Sequence, residues 1–189
     1  MNKSTWESTV KPVVVLSVIA LVVSFLLALV NSFTAPIIEE NQKAATLAAY
    51  VDVMPTVSDA KTLEEVTGFT TENVTGVVKA EDGSIAIKAE EKGFDGGILT
   101  VIMGYDTNGT VTGISFTELH DTAGMGMRCD EPEFKSQFEN VNVTAFTLNK
   151  GGASTAEDVI DSINGASVSS GAVVDAVNAA LSYFAANLK

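Results

Sequence analysis

The chain has 189 residues, is 46% hydrophobic and carries 24 acidic against 11 basic residues, for a net charge of −13. That length holds one domain plus an appendage, and the acidity excludes a nucleic-acid binder, which needs a basic footprint. A single cysteine, Cys129, cannot close an internal disulfide or build a zinc or iron–sulfur site, and a single histidine, His120, gives a catalytic triad a poor start.

The N-terminal stretch MNKSTWESTVKPVVVLSVIALVVSFLLALVNSFTAPIIEE has no charge between Lys11 and Glu39. That gap exceeds the ~20 residues needed to cross a bilayer core. Trp6 precedes it as an interfacial anchor. The rival, a cleaved signal peptide, has a shorter apolar region and a small-x-small end, to which Val30-Asn31-Ser32 is a weak match. The expected organisation is a cytoplasmic N-terminus over residues 1–11, a transmembrane helix over 12–34 and an extracytoplasmic domain over 35–189. Lys3 and Lys11 before the span, against Glu39 and Glu40 after it, orient the N-terminus inward. Ser17, Ala20, Ser24 and Ala28 form a small-residue face suited to docking against other membrane helices.

The outer part reads as α+β, with a mainly antiparallel sheet flanked by helices. A helix is expected to leave the membrane with Thr34 as cap, Pro36 in its first turn and a stripe of Ile37, Ala44, Leu47, Ala48 and Val51, ending at Pro55. A second short helix is expected over Ser58 to Val66. TGVVKAEDGSIAIKAEE predicts two strands joined at Glu81-Asp82-Gly83. GGILTVIMGYDTNGTVTGISFTEL predicts a second hairpin turning at Asp106-Thr107-Asn108-Gly109, with Gly113 slipping the alternation. Together these make four antiparallel strands. Phe134 and Phe138 sit at i and i+4 on a short helix. TAFTLNKGGAS predicts a short strand and turn. The last helix is expected from about Ser169 to Asn187, with Val173, Val177, Leu181 and Phe184 on one face.

In NGASVSSGAVV, small and hydroxyl residues crowd onto the start of that last helix. Asn164-Gly165 permits a tight turn, and Ser167, Ser169 and Ser170 present hydroxyls where first-turn N–H groups lack internal partners. Two readings are open on these grounds: an N-cap, and a seat for a phosphate.

The residues also carry a resemblance. Asp161-x-x-Asn164-Gly165-Ala166-Ser167-x-Ser169-Ser170 resembles the D-x-x-S-G-A-T-x-T-S signature of FMN-binding domains. These occur in the G subunit of the Rnf complex and the C subunit of the sodium-translocating NADH:quinone oxidoreductase. LVNSFTAPIIEENQ is similar to the family's N-x-x-T-x-x-x-I exit from the membrane helix. GFDGGILTVIMGYDTNGTVTGISF resembles its G-Y-x-G sheet segment, with Phe94 for the tyrosine, and HDTAGMG resembles its H-x-E-T-P-G-L-G loop. FKSQF and LNKGG resemble the segments that follow, and the length suits the Rnf G subunit. In this chain serine replaces the signature threonine, Asn164 replaces a serine, and Asp121, Ala123 and Met125 stand for the loop's glutamate, proline and leucine.

The resemblance implies a covalent FMN, attached through its phosphate to the hydroxyl of Ser167 by a flavin transferase. It implies a phosphate held by Asn164, Gly165, Ala166, Ser169 and Ser170, and a ring approached by Thr122, Gly124 and Met125. Lys135 and Lys150 are candidate cations near phosphate or ring, each also readable as a solvated surface charge. Phe94 is expected in the core rather than stacked on the ring. The implied function is electron relay, with no catalytic acid or base and no metal, in a membrane complex that passes electrons between ferredoxin and NAD and couples this to Na+ or H+ movement. The flavin carries the electrons and the protein positions it. The competing reading is a single-pass extracytoplasmic binding or scaffold protein without a cofactor, which leaves NGASVSS and HDTAGMG as two unconnected turns.

Overall fold

The computed structural model describes residues 10–68, 73–94 and 96–188. It divides into two compact units, one running to Ala44 and the other spanning Ala45–Lys189. The first unit is the larger part of helix α1 (Lys11–Val53), which continues without a break into the second. Its apolar part is long enough to cross a membrane, and Val13 to Phe33 expose their side chains all round. In lipid such a segment keeps every backbone group bonded only as a helix.

The expected restart at Thr34 does not occur. Thr34 lies inside α1, where its hydroxyl donates to the Val30 carbonyl at 3.1 Å, and Ser32 donates likewise to Leu29 at 2.7 Å. Both bonds lie in the turns just before Pro36, which removes an N–H from the helix. The helix ends where Met54 precedes Pro55, a position biased away from helical backbone. The predicted stripe is also displaced. Ala49, Tyr50 and Val53 are the buried residues of α1, while Ile37 and Leu47 are exposed.

The second unit is built on one antiparallel sheet in the order β1 (Glu64–Glu65), β2 (Val74–Lys79), β3 (Ile85–Lys92), β4 (Ile98–Tyr105) and β5 (Val111–Leu119). It has five strands, not four. The segment expected to be a second helix forms one 3-10 turn, Ala60–Thr62, capped by Asp59. The chain then pairs Glu64 and Glu65 with Lys79 and Val78. Both predicted hairpins form. Asp82 Oδ1 accepts from the N–H and hydroxyl of Ser84, and Asp106 Oδ1 accepts from the N–H groups of Asn108 and Thr110. Near Gly113 the β4–β5 register jumps from Gly104↔Gly113 to Tyr105↔Val111, leaving Thr112 as the extra residue of a bulge. Thr112 uses its freed position to donate to the Val53 carbonyl.

The sheet buries both faces. Ile102, Ala86 and Val78 pack against Tyr50, Val53 and Met54. Ile87, Val101, Met103 and Tyr105 pack against helix α3 (Ser167–Asn187) through Val173, Val177 and Leu181. Each valine, leucine, isoleucine or methionine among them contributes about 1.5–3 kcal/mol by burial. Phe184, the fourth residue of the predicted face, stacks on Tyr105 at 4.2 Å between centroids.

Between β5 and α3 lie helix α2 (Pro132–Lys135), a following 3-10 turn (Ser136–Phe138), and strands β6 (Thr147–Asn149) and β7 (Val159–Asp161). Phe134 and Phe138 are buried as the spacing implies, with Phe138 edge-on to Phe134 at 5.6 Å and to Phe146 at 5.1 Å. β6 and β7 pair in parallel as a separate two-stranded sheet, and β7 was not expected from the sequence.

Candidate functional site

β7 runs into a loop, residues 162–166, which delivers the chain to the first residue of α3. The Ala166 N–H donates to the Ile163 carbonyl at 2.9 Å, closing a turn around Asn164 and Gly165. Gly165 sits at φ +84°, a conformation that disfavours any side chain. Asn164 and Gly165 are exposed at the tip and Ala166 is buried beneath them.

α3 begins at Ser167, two residues before the predicted start. Its N-cap is Ala166, which has no side-chain oxygen and makes no cap bond. The simple N-cap reading therefore does not describe this helix, whose leading N–H groups have no side-chain cap. Ser167 is half-buried, and its hydroxyl lies 3.4 Å from that of Ser162. Ser169 and Ser170 are buried. The Ser170 hydroxyl accepts from the Ile163 N–H at 3.1 Å and donates to the Ala166 carbonyl at 3.0 Å. It fastens the loop from inside, so the side chain expected to hold a phosphate is already engaged.

The loop is fixed on its other side by Asp161. This carboxylate accepts from Asn149 Nδ2 at 2.7 Å and from the Ser154 N–H at 3.0 and 3.2 Å. The Ser162 N–H donates to the Asn149 carbonyl at 2.9 Å. Gln137 bonds the backbone of Asp161 on the strand's far side. Of these residues Asp161 is the first position of the signature, Gln137 and Asn149 lie in the FKSQF and LNKGG segments, and Ser154 and Ser162 carried no sequence signal.

A cavity of about 520 Å³ opens beside the loop, lined by Ser162, Asn164, Gln137 and Arg128 and by the carboxylates Glu131, Glu133, Glu157 and Asp161, while Ser167 lies outside its lining. That volume is in the range of small-molecule sites. Its cation is Arg128, paired with Glu131 at 3.2 Å, and not either predicted lysine. Lys135 pairs with Asp130 at 2.9 Å, and Lys150 is exposed beyond the end of β6.

The glycine loop approaches the start of α3 from β5. Thr122, Gly124 and Met125 are exposed on it. The Asp121 carboxylate accepts from the Thr122 N–H at 2.6 Å and packs directly on Gly126, where an added Cβ would overlap it. The following 3-10 segment, Gly126–Asp130, carries Cys129 into the core beside Ser170. Burial pushes the Cys129 thiol up to about 11, against a hydrogen bond shared with Ser170 that lowers it, while the charge of Asp121 raises it further. The segment that follows the glycine loop thus meets the start of α3 through Cys129 and Ser170. Phe94 is a correction: it lies 65% exposed at the tip of the β3–β4 loop instead of in the core. That loop folds back on itself through the bond from the Gly93 N–H to the Gly97 carbonyl, which turns Phe94 outward.

An FMN-binding domain model matches residues 93–182, and a model of the RnfG N-terminal region matches residues 1–53. The class defined by fold and site is thus an FMN-binding-domain protein with an apolar N-terminal helix. The G subunit of an ion-translocating oxidoreductase complex from Methanosarcina acetivorans is 30% identical over 186 residues, covering 93% of this chain and 94% of the relative. The G subunit of a Na+-translocating ferredoxin:NAD+ oxidoreductase complex from Acetobacterium woodii is 26% identical, covering 95% and 93%. The crystal structure of Shewanella oneidensis NqrC shares the fold, with a TM-score of 0.51 at 18% identity over 71% of this chain and 70% of that one. This chain belongs to the family of Rnf-type G subunits.

Proposed function

We propose that this chain is a single-pass membrane flavoprotein that relays electrons through an FMN esterified to Ser167, as one subunit of an Rnf-type ferredoxin:NAD oxidoreductase coupled to Na+ or H+ movement. The observation that carries the reading is the uncapped start of α3. A half-buried serine hydroxyl stands at the first helical position, where no side chain caps the leading N–H groups, and the turn before it, through Ser162 and Asn164, borders a cavity of about 520 Å³. A helix start of this kind stabilises the single negative charge of a phosphodiester. Backbone N–H groups of the first turn and the exposed Asn164-Gly165 tip would hold the phosphate. Thr122, Gly124 and Met125 would approach the ring. Ser169 and Ser170 would act from below, by shaping the turn.

Attachment requires an activated flavin nucleotide and a flavin transferase. The Ser167 Oγ–phosphorus bond forms, the bond from phosphorus to the donor's leaving group breaks, and the hydroxyl proton departs with that group. FMN supplies one- and two-electron transfer when bound. The names of the relatives support partners within a multisubunit membrane complex, and the Lys3 and Lys11 bias supports a cytoplasmic N-terminus with the domain outside.

The test is a denaturing gel of protein produced with a flavin transferase. A fluorescent band is expected, and it should vanish in Ser167→Ala. Peptide mass analysis should add one FMN, less water, to the peptide containing Ser167. An unmodified peptide from redox-active protein refutes the ester, and a protein with no flavin at all returns the chain to the scaffold reading.

A further inference from the structure

We propose that Gln137 is a positioning residue of the attachment loop, acting as a substitute strand on the open edge of β7. This rests on the reading of Ser167 as the flavin attachment point.

Among the described residues β7 has one strand neighbour, β6. The Thr147 N–H donates to the Asp158 carbonyl and the Ser162 N–H donates to the Asn149 carbonyl, so residues 158 and 162 face β6. Asp161, one place out of phase, turns its own N–H and C=O to the opposite side, away from β6. Left there unpaired and half-buried, both groups would carry a desolvation cost. Gln137 meets both. Its Oε1 accepts from the Asp161 N–H at 2.7 Å, and its Nε2 donates to the Asp161 carbonyl at 3.3 Å. A primary amide has one acceptor end and one donor end, the same pair that a strand residue presents.

Gln137 is itself held firmly. It lies in the 3-10 turn between Phe134 and Phe138, which are 3% and 0% exposed. The aromatic core therefore sets the height of Gln137, and Gln137 sets the backbone of Asp161. The Asp161 carboxylate then gathers Asn149 and Ser154, and one residue further the Ser162 hydroxyl meets Ser167. Glutamate at 137 would keep the acceptor and lose the donor. Leucine would lose both.

The test follows flavin loading of the full-length chain by a flavin transferase, by in-gel fluorescence and intact mass over time, with Ser167→Ala as the zero. In Gln137→Leu the loading rate should fall about tenfold or more, the scale expected when a reacting group is displaced by a fraction of an ångström to an ångström. Helix content by circular dichroism should stay at the wild-type level. Loading of Gln137→Glu relative to wild type should recover as pH falls toward the ordinary carboxyl range of about 4, where the protonated acid again offers a donor. A side chain that merely fills space gives no such recovery. Wild-type rates in both variants overturn the proposal, as does a loss in both that tracks the unfolded fraction without recovery in acid. If wild-type Ser167 takes no flavin, the functional reading fails, and amide exchange at Asp161 and Ser162 decides the role of Gln137. Protection lost in Gln137→Leu supports it, and unchanged protection overturns it.

Discussion

Ser167 and Ser170 are three residues apart on one helix, yet their hydroxyls have different work, and alanine substitution separates them. Ser170→Ala removes the acceptor of the Ile163 N–H and one of two donors to the Ala166 carbonyl. Ala166 keeps its bond from the Ser170 N–H at 2.9 Å, so the larger loss is at Ile163. A neutral bond contributes about 1 kcal/mol, and stranding a buried donor costs about 1–3 kcal/mol. The expected destabilisation is about 1–3 kcal/mol, or a melting point lower by about 2–10 °C for a domain of this size. Ser167→Ala gives up only a 3.4 Å contact from a half-buried position, and its cost should stay within about 0.5 kcal/mol. Both variants are melted in detergent as full-length, flavin-free protein, then loaded. Ser170→Ala should melt early and still take flavin at a reduced rate. Ser167→Ala should melt like wild type and take none. A Ser170→Ala melting point equal to wild type would refute the internal fastening of the loop, and an equal loss in Ser167→Ala would show that residue to be structural.

Two further outcomes test the packing beneath the site. Burial raises the Cys129 thiol from 9.0 to about 11, so between those pH values the unfolded chain has released a proton that the folded chain keeps. Stability should be complete below about pH 9 and decline as pH rises toward 11. Denaturant titrations across that window should show a shallower decline in Cys129→Ala, and an identical slope would contradict the assignment. Gly126→Ala should cost about 1–3 kcal/mol, because the new methyl meets the Asp121 carboxyl. Adding Asp121→Ala should restore most of that loss in thermal melts, and a neutral Gly126→Ala would disprove the close approach.

What could be read from the sequence was what neighbouring residues decide. Asp82-Gly83 and Asp106 to Gly109 name their turns by their own side chains, and both hairpins follow. The 3.6-residue spacing of Val173, Val177 and Leu181 marks the buried face of α3. Partners distant in sequence decide the rest. β1 is two glutamates with no alternation to see, and it exists because Lys79 and Val78 are there to pair with. β7 becomes a strand only beside β6. Thr34 has the composition of a cap, but the apolar helix before it keeps running, and its hydroxyl bonds backwards. At the site, the signature singles out Asn164 to Ser170, which form one turn and the start of α3. It could not show that Ser170 turns inward, that Arg128 supplies the cavity's cation, or that the glutamine of FKSQF closes β7.

The small parallel sheet has a second amide at its other end. Asn178 of α3 bonds both the N–H and the carbonyl of Phe146, the residue before β6, at 2.7 and 2.9 Å. Amide side chains thus occupy backbone groups at both margins of this sheet, where an exposed strand would serve as a template for a second molecule. The loop over residues 162–166 therefore follows a sheet whose outer backbone groups at Asp161 and Phe146 are met by neutral side chains. Deamidation of either would reopen that margin, replacing a donor with a negative charge.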